Sequence, residues 1–134
     1  MKDKLIEIAS KAYAPYSNFH VAAIVIMKDG KHYEGVNVEN ASYGATICAE
    51  RVAILKAVSE GYRKGDFKEL HVLCADSKTI STCCFLCRQV ISEFFEDDAM
   101  IYCHSITGEF KGYKVSTLCP FPFNEDDLKW NQVL

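Results

Sequence analysis

Residues 19–38 read Phe19-His20-Val21-Ala22-Ala23-Ile24-Val25-Ile26-Met27-Lys28-Asp29-Gly30-Lys31-His32-Tyr33-Glu34-Gly35-Val36-Asn37-Val38. Residues 19–27 are rich in Val, Ile and Ala, so they are expected to form a buried strand. Lys28-Asp29-Gly30-Lys31 marks a hairpin, because Asp-Gly readily supplies the positive φ angles of a tight turn. Residues 32–38 then return as an antiparallel partner. The apolar strand needs cover, and the flanking sequence supplies it.

Upstream, Leu5, Ile6, Ile8, Ala9 and Ala12 recur near helical spacing, which predicts a helix over 2–13, broken at Ala14-Pro15-Tyr16-Ser17-Asn18. Downstream, residues 39–47 read as a polar loop containing Gly44. A helix over about 48–60 carries Val52, Ala53, Leu55 and Val58 and stops at Gly61. Residues 70–75 form a short apolar strand. A third helix opens near Cys84 and runs through Val90, Ile91, Phe94 and Phe95. Residues 99–103 and 112–115 are expected as two further strands, and 116–134 as a helical turn, a Pro-rich corner and a tail. The order αββαβαββ predicts an α/β fold, a three-layer α/β/α sandwich with a mixed sheet of about five strands.

A chain of 134 residues is expected to form one domain over 1–134. Its net charge of −3 comes with no Lys/Arg cluster, which argues against a nucleic-acid partner. No apolar run reaches the length of a membrane span, so no membrane partner is expected. The start Met1-Lys2-Asp3-Lys4 enters an amphipathic stretch without a signal peptide. Seven cysteines in that setting read as reduced thiols of a cytoplasmic protein, better suited to metal than to disulfides.

Two segments concentrate the chemistry: Thr46-Ile47-Cys48-Ala49-Glu50-Arg51 and Cys84-Phe85-Leu86-Cys87-Arg88-Gln89. Each cysteine group falls where a helix is expected to begin. Free N–H groups and the positive end of the helix dipole lower a thiol's pKa there. Cys48, Cys84 and Cys87 supply three thiolates for zinc, leaving the fourth tetrahedral position to water. Three thiolates on Zn²⁺ carry a net negative charge, which Arg51 is placed to withdraw by bonding sulfur. Glu50, two residues after Cys48, is placed to move the water's protons. Cys-x-x-Cys alone also fits a redox pair, and a structural zinc closed by Cys83 is an alternative. Cys74, Cys103 and Cys119 read as small core residues. His20, His32, His71 and His104 occupy no ligand position.

These segments resemble the cytidine deaminase family, specifically its short, three-cysteine, homotetrameric branch. The resemblance extends to Ala14-Pro15-Tyr16-Ser17-Asn18-Phe19, to Asn37-Val38-Glu39-Asn40-Ala41-Ser42-Tyr43-Gly44 and to Leu118-Cys119-Pro120-Phe121-Pro122-Phe123. It implies one zinc per chain on Cys48, Cys84 and Cys87, and Glu50 as the proton shuttle. It implies that Asn37 and Glu39 hold the ribose hydroxyl, Phe19 packs on the pyrimidine and the N–H of Ala49 meets its O2. Tyr43 and Ala41 would line the nucleoside end, and Phe123 would enter from a neighbouring subunit of a homotetramer with shared active sites. The implied reaction turns free cytidine and 2′-deoxycytidine into uridine and 2′-deoxyuridine plus ammonia, in pyrimidine salvage. Another aminopyrimidine nucleoside such as blasticidin S is an alternative substrate, and a non-enzymatic zinc module an alternative function. The family usually reads Ser-Pro-Cys-Gly-x-Cys in its second zinc segment. Here Cys83 stands for the proline and Phe85 for the glycine.

Overall fold

The computed structural model describes residues 1–129; the expected tail beyond Lys129 lies outside the described residues. The first helix, α1, spans Lys2–Ala9 and is shorter than the 2–13 expected. The Ser10 hydroxyl donates to the Glu7 carbonyl at 2.6 Å, and the chain turns away there. Strands β1 (Val21–Met27) and β2 (His32–Val36) form the hairpin, with Ala23 opposite Gly35. Phe19 and His20 were expected within β1, but side chains hold both N–H groups and the Phe19 carbonyl, while the His20 carbonyl accepts from the Ala75 N–H at 2.8 Å. Val38 likewise leaves β2 and bridges to Tyr13 and Ile47.

The rest of the chain runs α2 (Ala49–Ser59), β3 (Phe67–Cys74), α3 (Phe85–Phe94), β4 (Met100–His104), β5 (Phe110–Lys114) and the short α4 (Val115–Leu118). The sheet order is β2-β1-β3-β4-β5. β3 and β4 are parallel, joined through α3, and every other neighbouring pair is antiparallel. A parallel pair needs such a crossover, and here the crossover helix carries the second cysteine pair.

Both faces of the sheet carry helices. α1 buries Leu5, Ile8 and Ala9 against Ala22, Ile24 and Leu73. On the other face Ala53, Ile54 and Ala57 of α2 and Cys87 and Ile91 of α3 pack on Ala23, Val25, Val72, Ile101 and Cys103. The closest approach is at Gly35 of β2. A Cβ there would lie 2.4 Å from the Ala49 carbonyl oxygen and 2.5 Å from the Ala53 nitrogen. The missing side chain lets the first turn of α2 rest directly on the sheet. Val21 lies opposite Cys74, so the start of β1 and the end of β3 share one edge of the fold. The N-termini of α2 and α3 point to that edge. A crevice beyond strand ends is where α/β sheets habitually hold ligands.

Candidate metal centre and active site

Cys48 is the N-cap of α2 and Cys84 the N-cap of α3, both with extended backbone. Cys87 follows one turn into α3, and its N–H donates to the Cys84 sulfur at 3.4 Å. The three sulfurs lie within 4.8 Å of one another, with Cys48 and Cys84 at 3.8 Å. Tetrahedral zinc with Zn–S bonds of about 2.3 Å requires sulfurs about 3.8 Å apart, so the donor set fits that metal. Cys83 lies outside the group. It is buried in the same core cluster as Cys103, so it does not close the site as the structural-zinc alternative requires. His71 and His104 also stand apart, as a buried pair 2.9 Å apart with Glu69 on the far nitrogen of His71.

The cluster is electrostatically asymmetric before any metal binds. The Cys48 thiol is lowered to about 5, because Cys87 donates to it, Arg51 bonds it and Cys84 adjoins it. Cys87 is pushed up as the donor of that shared hydrogen, and by burial. Arg51 places Nη2 3.4 Å from the Cys48 sulfur, while its buried Nε has no partner among the described residues. Glu50 is 4% exposed, and burial first, then the Cys48 anion, raises its carboxyl above the ordinary range. A carboxyl held ready to carry a proton beside a water-activating site suits general acid–base work.

Cys48, Glu50 and Cys84 open onto a cavity of about 230 Å³, together with Phe19, Val21, Asn37, Thr46, Ala49, Val72, Cys74, Ser81 and Thr82. Among the described residues, no lysine or arginine lines it. A larger hollow of about 470 Å³ surrounds the hairpin turn at Lys28–Lys31 and Tyr62, away from every thiol. Asn37 is buried and works on the cavity wall: its Oδ1 accepts from Val21 N at 2.9 Å and its Nδ2 donates to the Phe19 carbonyl at 2.7 Å. His20 adds a second tie, donating its N–H to Asp76 Oδ2 at 2.5 Å with its ring 3.0 Å from the same oxygen.

Glu39 lies in an adjoining hollow of about 330 Å³ with Tyr16, Ser17, Asn40, Tyr43 and Thr46; Thr46 lines both spaces. Its carboxylate accepts from the N–H groups of Tyr16 and Ser17 and from the Ser17 hydroxyl. Those bonds hold it below the usual carboxylate range. Tyr43 is 77% exposed and meets Tyr16 edge-on. Ala41 is exposed and lines neither hollow. Phe123 is 59% exposed and outside the cavity of its own chain, with its carbonyl accepting from Gln89 Nε2 at 2.6 Å.

Sequence reasoning gave no role to Thr46, Ser81, Asp76 and Arg88, and set His20 aside as no ligand. Only Arg88 carried a signal, as the residue four after Cys84 on the same helix. Cys74, read as core, is buried and also forms part of the cavity wall.

A mixed five-stranded sheet thus brings two cysteine-capped helices and a buried glutamate together at one candidate zinc site. A sequence model described as "Cytidine and deoxycytidylate deaminase zinc-binding region" matches residues 1–104. The chain belongs to that zinc-binding family of cytidine and deoxycytidylate deaminases. It is 43% identical over 123 residues to the cytidine deaminase of Halalkalibacterium halodurans, covering 92% of this chain and 91% of that one. It is 41% identical over 132 residues to that of Sporosarcina psychrophila, with coverage of 96% and 95%. Among solved structures, the cytidine deaminase of Burkholderia pseudomallei superposes with a TM-score of 0.84 at 38% identity, over 92% of this chain and 99% of that one.

Proposed function

We propose that this protein is a cytoplasmic cytidine deaminase, acting on free cytidine and 2′-deoxycytidine in pyrimidine salvage as one domain over residues 1–134. The observation that carries the reading is a cluster of three thiols beside a buried glutamate, with Cys48, Cys84 and Glu50 opening onto one small cavity that no basic side chain among the described residues lines. A phosphate would find no cation there, and Glu39 beside it would repel one, so the substrate is a nucleoside. Cys48, Cys84 and Cys87 hold one zinc per chain. A zinc held by these three residues would supply a water acidified towards neutrality.

The chain's own residues do the rest. Glu50 accepts a proton from the attacking water and delivers it to N3 of cytosine. Glu50 then takes the remaining proton from the new C4 hydroxyl and passes it to the amino group; the C4–N bond breaks, C4=O forms and ammonia leaves. Arg51 draws electron density from the Cys48 sulfur and so offsets the excess charge of three thiolates. Phe19, set by Asn37 and Asp76, packs on the pyrimidine, and the Ala49 N–H meets O2. The ribose extends past Thr46 towards Asn37 and Glu39, with Tyr43 and Ala41 at the outer end. Exposed Phe123 is directed to the site of a neighbouring copy in a homotetramer. Seven free cysteines suit the reducing cytoplasm, and among the described residues no helix is long and apolar enough to cross a membrane.

Metal content and cytidine turnover on one preparation test this directly. About one zinc per chain is expected. Glu50→Gln should keep the metal and lower kcat by roughly 10²–10⁴-fold. A Glu50→Gln enzyme that turns over normally would sink the mechanism.

A further inference from the structure

Residue 83 is a cysteine, so no proline ring fixes the backbone at the turn that delivers the ligand Cys84. Arg88 holds that turn from outside. Its Nε donates to the Cys83 carbonyl at 2.8 Å and its Nη2 to the Thr82 hydroxyl at 3.2 Å. Its Nη1 donates to the Leu118 carbonyl at 3.0 Å, at the end of α4. One planar fork thus ties the metal-binding turn to the C-terminal corner. A lysine presents a single point charge and cannot span three acceptors in that plane.

Phe85 completes the arrangement. It is 75% exposed, a poor place for an aromatic ring unless the ring covers something. It covers Arg88: the guanidinium carbon sits 4.4 Å from the ring centroid. Residues three apart on a helix share a face, so the first residue of α3 can roof the fourth. The ring's negative face attracts the cation and shields its hydrogen bonds from water.

We infer that Arg88, roofed by Phe85, is the positioning residue that sets the Thr82–Cys84 turn and links it mechanically to the corner at Leu118. Neither side chain touches substrate; both act through the backbone around Cys84. The inference rests on the reading of Cys48, Cys84 and Cys87 as a zinc site.

The test uses zinc-loaded full-length protein and reads two quantities: the rate of zinc release to a chromogenic chelator, and kcat and KM for cytidine in excess zinc. Arg88→Lys should release zinc about 10–100-fold faster, the usual scale for loss of an outer-shell partner. Phe85→Leu keeps an apolar side chain but no π face, and should release zinc about 2–5-fold faster, while Phe85→Trp matches wild type. Both impairing changes should lower kcat and leave KM within about twofold. Gln89→Ala, which frees only the Phe123 carbonyl, should leave release unchanged. Wild-type release rates in both Arg88→Lys and Phe85→Leu overturn the inference, as does Phe85→Trp behaving like Phe85→Leu. Phe85 is exposed, so its variants report even if Arg88→Lys does not fold. A wild-type protein that holds no zinc sinks the metal reading itself, an outcome distinct from unchanged variants of a zinc-loaded enzyme.

Discussion

Replacing Gly35 with alanine is expected to displace the helix that carries Cys48 and Glu50. The new Cβ would meet the Ala49 carbonyl oxygen at 2.4 Å and the Ala53 nitrogen at 2.5 Å, where ordinary contact begins at 3.4 Å. Both obstacles are helix backbone, so no side-chain rotation relieves them. The strand is held on its inner side, where Gly35 pairs with Ala23 of β1. The first turn of α2 must therefore retreat by about 1 Å, the difference between 3.4 and 2.4 Å. Overpacking of this kind costs about 1–3 kcal/mol, which lowers Tm by roughly 3–15 °C in a domain of this size. The retreat falls on Ala49 itself, between the Cys48 ligand and the Glu50 shuttle. A misplacement of about 1 Å near the chemistry can cost on the order of 10²-fold in rate. Thermal unfolding and kcat of zinc-saturated Gly35→Ala read the two effects separately. A variant that loses stability but turns over within about twofold of wild type would refute the claim that α2 transmits the clash as a rigid body.

Two further substitutions probe the charges. Arg51→Gln removes a cation and a hydrogen bond that help hold the Cys48 thiol at about 5, so in metal-free protein its pKa rises. The thiolate fraction at pH 6 then falls, and iodoacetamide should modify Cys48 more slowly than in wild type; an equal or faster rate refutes the role of Arg51. His104 is lowered from 6.5 to about 4, by burial first and then by the charge of His71. The fold therefore favours its neutral form, and stability is full above pH 6.5, declines as the unfolded chain takes up a proton, and stops declining from this source near pH 4. Urea unfolding of metal-free wild type and His104→Gln should show wild type losing stability relative to the variant across that window. Parallel curves would show that His104 is not the titrating group.

The hairpin was legible because its signals are local: a stretch over 19–27 rich in Val, Ile and Ala, Asp-Gly at the turn, and a return strand. The helix starts at Cys48 and Cys84 were legible for the same reason. Element ends were less so. The expected helix over 2–13 stops at Ala9 because a serine hydroxyl competes for a carbonyl, and periodicity does not register that competition. Phe19 and His20 looked like strand, but Asn37 and Asp76, distant in sequence, supply their hydrogen bonds. Arg88 escaped notice because its acceptors, Thr82, Cys83 and Leu118, become neighbours only after folding.

By itself the sequence determined the chemical inventory: three cysteines and a glutamate at helix starts, in an order of strands and helices that demands a covered mixed sheet. Thiol chemistry, helix capping and hydrophobic periodicity act over a few residues, so they can be read along the chain. The tertiary structure alone decided which thiols meet. It gathered Cys48, Cys84 and Cys87, turned Cys83 into the core beside Cys103, and buried Glu50 enough to raise its carboxyl. Distances between segments and the loss of solvent arise only when helices pack, as α2 does against the bare backbone of Gly35.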